Sequence, residues 1–343
     1  WGIIAGAMGF LQTAGHFITL RVLLGIAEAG FFPGVIYLLS LWFPSRYRAR
    51  MIATFYLGVP IAQVLGAPLS VGLMQLGDAW GFVGWRVMYI VEAVPAVILG
   101  VVCYFYLTDR PSDAHWLTDE QRNWLIKTLD QEERNKPLVV GIQPTKGQMI
   151  RKALGNKQVW MLALVYFGIT SGSNAMNFFL PTVLASFRAS FGLEIGLMQN
   201  GLITAIPYAV AAVAMIWWSR RSDRLQERHW HAGGAAMLAA AAIALALLIN
   251  QPWIIVIGFV FLAMGVYSAI NVFWAVPGQV LTGVSAAAGI GLINSIGNLS
   301  GFSGPYLTGL LFTMTGSYTP GFLMIAALVG LGGLGMVLMP RNP

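Results

Sequence analysis

Charged residues are scarce in this chain of 343 residues, and their scarcity excludes an ordinary soluble domain. They fill 10% of the positions, whereas soluble domains average about 25%. Hydrophobic residues fill 57% of the chain. Cysteine is scarcer still, because Cys103 is the only one in the sequence, so no disulfide can form within the chain.

The sequence also contains little material for enzymatic chemistry. It has no glycine-rich phosphate loop followed by lysine, which argues against ATP hydrolysis within the chain. The four histidines lie at the ends of apolar runs or in loops, and we interpret His229 and His231 as part of a solvated basic loop rather than a metal site. The sequence therefore predicts neither an enzyme nor a cofactor.

Long apolar blocks are what the sequence has in abundance. A helix needs about 20 apolar residues to cross the hydrocarbon core of a bilayer. The blocks and the residues that break them predict ten spans, at 1–14, 17–43, 51–76, 86–107, 153–185, 195–218, 232–249, 253–275, 284–313 and 320–339. The predicted fold class is all-α, a polytopic membrane helical bundle whose main partner is the lipid bilayer.

Basic residues give the chain a formal net charge of +7, but they lie in loops between apolar runs. This spread does not predict a nucleic-acid partner, which needs positive charge on one soluble face. Short basic loops stay in the cytoplasm. The basic residues that indicate the cytoplasmic side are Arg46, Arg48, Arg50, Arg110, Arg122, Lys127, Arg134, Lys136, Lys146, Arg151, Lys152, Lys157, Arg220, Arg221, Arg224, Arg228 and Arg341. The alternating loops hold Arg86 and Arg188 alone, so both ends of the chain are predicted to be cytoplasmic.

A long polar segment at 108–152 predicts a linker between an N-terminal bundle of four spans at 1–107 and a C-terminal bundle of six at 153–343. Thr118 and Gln121 have the form of a capping box, so we expect the linker to contain a surface helix. Folds built from repeated halves pair equal numbers of spans. We therefore expect two further spans ahead of the first residue.

Two charged residues, Arg21 and Glu28, interrupt the span at 17–43. Each costs about 2.5–3.5 kcal/mol at mid-membrane, so each needs a compensating environment. Seven residues make two helical turns, which places both side chains on one face, roughly 10 Å apart. We expect each to find a partner or water outside its own helix. We favour a solute and proton pathway over a structural ion network with neighbouring helices.

Three later spans carry stripes of uncharged polar residues. Spacings of three, four and seven place each set on one face of its helix. The sets are Thr170, Asn174 and Asn177; Tyr267, Asn271 and Trp274; and Asn294 and Asn298. Asparagine in lipid needs hydrogen-bond partners, so these faces are predicted to point inward, either toward a solute or toward neighbouring helices.

A further carboxylate, Glu92, lies inside an apolar run, six residues after Arg86. An ionisable residue within a span is costly and usually has a specific role. Two interpretations stay open at this point, a buried carboxylate and a structural anchor near the outer surface, and we favour the anchor.

Seven segments, in order along nearly the whole chain, carry a combined pattern that is far more specific than any one of them. The segments are RVLLGIAEAGFFPG (21–34), LWFPSRYRAR (41–50), GWRVMYIVEAVPAVILG (84–100), YLTDRPSDAHWLTDEQR (106–122), FFLPTVL (178–184), SDRLQERHWH (222–231) and GLINSIGNLSGFSGPY (291–306). They resemble the anion:cation symporter family of the major facilitator superfamily, and the first resembles its fourth span.

The resemblance implies a major facilitator fold of twelve spans in two six-helix halves, of which about ten are present here. It implies a monomer that alternates access to a central site in the bacterial inner membrane. Members of the family move organic anions such as tartrate, phthalate, aldonates and hydroxyphenylacetate, usually with protons. The sequence departs from the pattern at the front, where the first two spans and the first copy of the gating loop are absent.

The resemblance also suggests roles for individual residues. Glu28 matches the proton-responsive carboxylate of the fourth span, and Arg21 matches the charged position two turns earlier. Asp223, Arg224 and Arg228 match the gating loop of the second half. The candidate substrate-binding residues are Arg21, Asn174, Asn177, Tyr267, Asn271, Trp274, Asn294 and Asn298.

Two other functions stay open from the sequence. An organic-phosphate or other anion exchanger would want more than one basic residue inside the membrane, and Arg21 alone lies there. A membrane-embedded enzyme or a sensor that transports nothing is the alternative from another class. Solute uptake into proteoliposomes distinguishes these functions.

Overall fold

A computed structural model describes residues 1–44, 47, 51, 54–134, 146–277 and 286–340. These residues form helices and contain no strand, which confirms the all-α prediction. The chain divides into two compact units, the first made of 1–56 and 66–139 and the second of 57–65 and 140–343. The predicted division into 1–107, 108–152 and 153–343 stays a prediction. The predicted cytoplasmic markers that lie outside the described residues are Arg46, Arg48, Arg50, Lys136 and Arg341.

Within the described ranges, seven helices are long and apolar enough to cross a membrane. They correspond to seven of the ten predicted spans. The other three, predicted at 1–14, 17–43 and 284–313, are each interrupted. The first contains helix α1 (Gly2–Ala7) followed by a short 3-10 turn at Met8–Phe10. Hydropathy marks the apolar length of a segment but not whether its helix is continuous.

The predicted span at 17–43 consists of two helices, α2 (Ala14–Glu28) and α3 (Phe31–Trp42). Ala29 and Gly30 form a turn between them. The proline at position 33 has no backbone N–H to donate to the Ala29 carbonyl, and glycine is a weak helix former. The prediction of one continuous helix was therefore wrong, and Glu28 ends α2 beside the break.

Helix α4 (Gly58–Ala79), which belongs to the first unit from residue 66 onward, is joined to α5 (Gly84–Tyr106) by a tight turn. The Gly84 N–H donates a 2.9 Å hydrogen bond to the Asp78 carboxylate. A side chain at Gly84 would collide with the Met74 backbone, so this close approach requires glycine. The turn fixes the register in which residues of α4 face residues of α5.

Helix α6 (Asp119–Arg134) lies within the segment for which the sequence predicts a linker with a surface helix. The Thr118 hydroxyl accepts from the Gln121 N–H, and the Gln121 side chain accepts from the Thr118 N–H, both at 3.2 Å. This reciprocal pair is the predicted capping box. Ahead of the helix, Trp116 stacks on Trp42 at the end of α3, with ring centroids 5.5 Å apart.

The second unit contains eight described helices. They are α7 (Lys146–Leu154), α8 (Lys157–Phe191), α9 (Leu197–Leu225), α10 (His229–Ile249), α11 (Pro252–Phe273), α12 (Ala286–Asn298), α13 (Ser300–Thr315) and α14 (Thr319–Val337). Glycines allow these helices to approach closely, since an added methyl group at Gly168 would meet the α14 backbone, and one at Gly233 would meet the Gly333 carbonyl.

The predicted span at 284–313 is broken between α12 and α13 at Leu299. Gly297 and Asn298 are weak helix formers. The Thr170 hydroxyl of α8 lies 3.0 Å from the Gly297 carbonyl and so contacts the backbone beside the break. Broken helices inside a membrane protein are tolerated where other groups satisfy the freed backbone.

Candidate functional site

Helix α2 positions Arg21 and Glu28 on a surface with no buried residue within the first unit. The Arg21 guanidinium lies 3.5 Å from the Tyr89 hydroxyl of α5 and 5.1 Å from the Phe17 ring centre. Across the described part of the chain, Glu28 has no hydrogen bond or ion pair. Arg21 thus has a partner on another helix, as expected, whereas the exposed Glu28 carboxylate has none among the described residues.

The exposure of these two charges restricts what can lie beside them. Facing lipid, each would cost about 2.5–3.5 kcal/mol at mid-membrane. The α2 surface that carries them therefore faces water or polar protein groups in the membrane. A cation that can bind an anion and a carboxylate that can bind a proton lie two turns apart on that surface.

The first polar stripe of the second unit is used mainly in contacts between helices. The Asn174 amide donates a 2.8 Å hydrogen bond to the Ser300 hydroxyl, and Ser300 in turn donates to the Thr170 hydroxyl at 3.0 Å. Thr170 and Ser300 are buried. This network joins α8 to α13 beside the helix break, so Asn174 has a structural partner that the sequence did not identify.

Asn177 belongs to a second polar cluster, formed with α9 and α11. Its amide oxygen accepts a 2.9 Å hydrogen bond from the Tyr208 hydroxyl. The Tyr208 and Tyr267 rings meet edge to face, with centroids 6.0 Å apart. The buried Tyr267 hydroxyl also interacts with the Asn177 side chain, although no well-aligned hydrogen bond to it forms within the described residues. Tyr208 was missed from the sequence because it lies alone between apolar residues.

The other two members of the α11 stripe point to different neighbours. The Asn271 amide donates to the Ser219 hydroxyl of α9 at 2.8 Å. The Trp274 indole donates to the Tyr166 hydroxyl of α8 at 3.3 Å, and the two rings meet edge to face. The predicted stripe therefore does not face one shared space, because Asn271 and Trp274 form contacts between helices.

Asn294 and Asn298 on α12 differ from the other asparagines. Asn298 is exposed and Asn294 is half-buried. Neither amide has a hydrogen-bond partner in the part of the chain that the structure describes. They are the predicted polar residues of the second unit whose side chains have no hydrogen-bond partner among the described residues.

The predicted gating residues lie where α9 ends and α10 begins. Asp223 and Arg224 occupy the last turn of α9, which corrects their assignment to a loop. The helix extends past the apolar block because polar residues can continue a helix beyond the membrane. Arg228 forms a 3.3 Å ion pair with Asp223 and is largely covered, with 17% of its side chain exposed. This pair fixes the turn at the end of α9.

Glu227 and His231 complete the turn, and both were missed as functional candidates. The Glu227 carboxylate accepts from the N–H groups of Trp230 and His231, at 2.7 and 3.1 Å. The His231 ring lies 2.8 Å from the same carboxylate and donates through Nδ1. His231 is buried in α10, which corrects its interpretation as part of a solvated loop. An acid just ahead of a helix is a capping signal that the sequence offered.

Glu227 lies between the spanning helices, and its environment changes its acidity. Partial burial alone would raise the pKa of Glu227, but the hydrogen bonds from Trp230 and His231 outweigh it and hold that pKa below its ordinary value. The carboxylate is therefore stabilised in its charged form at the N-terminus of α10, where the helix dipole also favours negative charge.

We expect Glu227→Ala to lower the stability of the protein by about 2 kcal/mol, because three donors lose their acceptor. A depressed pKa means that the carboxylate contributes fully above the ordinary value of 4.5 and loses its contribution as pH falls below that value. The unfolding temperatures of wild type and variant in detergent should thus differ at pH 7 and become equal in acid. A pH-independent difference would contradict the assignment.

Seven described helices long enough to span a membrane, together with a cation and a carboxylate two turns apart on a further apolar helix, are typical of a membrane transport protein. The chain belongs to the Major Facilitator Superfamily, whose model matches residues 1–305. This confirms the predicted superfamily and a multi-pass membrane location. The chain is a secondary transporter and not an enzyme.

Individual relatives agree with this class. A protein of Agrobacterium vitis named as a tartrate transporter is 42% identical over 342 residues, which cover 100% of this chain and 73% of that protein. A protein of Acinetobacter baumannii named Quinolone resistance transporter is 36% identical, covering 96% and 74%. The solved structure of the proton:xylose symporter XylE with 6-bromo-6-deoxy-D-glucose matches with a TM-score of 0.66 at 15% identity, covering 97% and 76%. That last likeness concerns the fold alone.

Proposed function

We propose that this chain couples the movement of a small organic anion to that of protons by alternating access. The observation that carries the proposal is the α2 pair, in which Arg21 and Glu28 lie two turns apart on a helix with no buried residue. Both are therefore accessible to a ligand or to water. The relatives named as tartrate transporters support a carboxylate as the anion.

In this mechanism Arg21 binds the carboxylate of the solute and Glu28 takes up the proton. A bound carboxylate competes for the positive charge of Arg21, which weakens its electrostatic hold on the Glu28 carboxylate. Proton uptake by Glu28 is then favoured, so solute and proton move together. Considered by itself, the second unit offers the Asn294 and Asn298 amides as proposed donors and acceptors for a solute.

Uptake by the full-length protein in proteoliposomes tests this function. With an alkaline interior, radiolabelled tartrate should accumulate, and a protonophore should abolish the accumulation. A quinolone and inorganic phosphate, each in excess, serve as competitors that distinguish a drug transporter and a phosphate exchanger. Tartrate uptake that is independent of the proton gradient, or exchange of phosphate alone, would overturn the proposal.

The proposed location is the bacterial inner membrane, with 108–152 and 219–231 on the cytoplasmic side, as their basic content indicates. We also propose that the protein functions as a monomer. The ion pair of Asp223 with Arg228 supports a gating role for the turn between α9 and α10, because any rearrangement of α9 against α10 must change it.

Cysteine labelling tests the orientation. After replacement of Cys103, which is free and exposed, single cysteines at the exposed positions Gln131 and Gln226 should resist a membrane-impermeant thiol reagent in intact cells. The same cysteines should react once the cells are permeabilised, which is the internal control. Rapid labelling of either position from outside would show that the orientation is inverted.

A further inference from the structure

The first unit contains a second intramembrane carboxylate, Glu92, whose surroundings differ from those of an anchor. Glu92 lies eight residues into α5, roughly 12 Å from its start, and Ser70 lies twelve residues into α4, roughly 18 Å from its start. Both helices are long and apolar enough to cross a membrane. The carboxylate is therefore well inside the span, where a permanent charge is costly.

Ser70 is the hydrogen-bond partner of Glu92, at 2.5 Å between Oγ and Oε1. A serine hydroxyl both donates and accepts. It donates to Glu92 when the carboxylate is ionised, and it accepts from Glu92 when the acid is protonated. The pair is thus satisfied in both protonation states, so a proton can arrive or leave without leaving a polar atom unpaired.

No cation fixes Glu92 in its charged form within the described residues. Arg86, on the same helix, donates instead to the Leu11 carbonyl at 3.0 Å. The Asp78 carboxylate of α4 is occupied by the Gly84 N–H. Helix α1 and the 3-10 turn at 8–10, which pack against α5, contain no titratable side chain. A structural anchor would need a charged partner, and the one cation nearby in sequence has another.

Glu92 also lies on the face of α5 that contacts the candidate anion site. Tyr89 is three residues earlier, so the two side chains share one face. The Tyr89 hydroxyl is the partner of the Arg21 guanidinium, 3.5 Å away. Arg21, Tyr89, Glu92 and Ser70 therefore form a polar row that crosses from α2 through α5 to α4. An anion bound at Arg21 adds negative charge to this row and favours a neutral Glu92.

We propose that Glu92, held by Ser70, is a second proton-binding group of the transporter, in addition to Glu28. This rests on the proposed function of Arg21 as the anion-binding cation. The step is a simple protonation, in which the Glu92 carboxylate takes a proton from water on the transport pathway as the anion binds. The proton returns to water when the anion leaves.

Proton uptake on tartrate binding tests the proposal directly. The full-length protein in weakly buffered detergent, with a pH indicator, should take up about two protons per bound tartrate at the peak of its pH profile. Glu92→Gln should lower this number to about one and leave tartrate binding intact. Glu120→Gln, an exposed carboxylate of α6, is the matched control and should change nothing. An unchanged number in Glu92→Gln would overturn the proposal.

A second measurement decides the question on the wild-type protein if Glu92→Gln does not insert. A hydrophobic carbodiimide modifies protonated carboxyl groups, and peptide mass spectrometry locates the modified residue. Modification of Glu92 should fall as pH rises, and tartrate at an intermediate pH should increase it. Absence of Glu92 modification at every pH would overturn the proposal. Failure of tartrate binding itself would instead contradict the proposed function, so the two failures are distinguishable.

Discussion

Glu28→Gln is expected to abolish accumulation of the anion against its gradient. A pH difference of one unit, about 1.4 kcal/mol per proton, sustains roughly tenfold accumulation for each coupled proton. Glutamine resembles the permanently protonated acid, so the variant can change conformation without taking a proton at this position. The accumulation ratio should therefore fall to about one, because movement that no longer requires a proton at Glu28 dissipates any gradient even where Glu92 still binds one.

Counterflow distinguishes loss of coupling from loss of transport. With equal pH on both sides and excess unlabelled tartrate inside, Glu28→Gln should still exchange labelled tartrate at a rate near that of wild type. The variant should also insert and unfold like wild type, since Glu28 has no described hydrogen bond to lose. Gradient-dependent accumulation by Glu28→Gln would show that coupling resides elsewhere and would return Glu28 to a structural role.

The seven continuous spans could be predicted because lipid imposes one rule on every spanning helix. The backbone must be satisfied internally over about 20 apolar residues, and that length is visible in the sequence. The breaks at Gly30 and Leu299 were not predicted, because hydropathy summed over a whole span does not register a turn of one or two residues. The end of α9 was missed for the opposite reason. Hydropathy falls at the membrane edge, while the helix continues through Asp223.

The sequence pointed to several polar residues inside the spans, but not to their partners. The spacing predicted that Asn174 and Asn271 point inward, and both donate hydrogen bonds to neighbouring helices. Whether an asparagine keeps a free amide depends on what the neighbouring helix offers. Ser300 and Ser219 supply that partner for two of them, whereas Asn298 has none in the described segments. Such pairings depend on packing between distant segments, which a single sequence does not contain.

Arg21→Gln is expected to remove most of the affinity for the anion. Truncating one member of a desolvated charge pair costs about 3 kcal/mol, which corresponds to tartrate binding more than about a hundredfold weaker. Arg21→Lys keeps the charge but loses the planar fork that binds a carboxylate through two hydrogen bonds. Its affinity for tartrate should therefore lie between those of wild type and Arg21→Gln. Calorimetric titration of tartrate into the purified protein measures the affinities of wild type, Arg21→Gln and Arg21→Lys.

Arg86→Gln is the matched control, because Arg86 is an arginine of the same unit whose hydrogen bond lies away from Arg21. It donates to the Leu11 carbonyl at 3.0 Å, so its loss should lower thermal stability and leave tartrate affinity nearly unchanged. Arg21 contacts Tyr89 at 3.5 Å on an exposed surface. Arg21→Gln should therefore lower tartrate affinity and leave thermal stability nearly unchanged. Counterflow also distinguishes the role of Arg21 from that of Glu28, since tartrate exchange should persist in Glu28→Gln and be lost in Arg21→Gln. Wild-type affinity in Arg21→Gln would remove the cation from the anion site, and with it the electrostatic link by which the solute controls the proton.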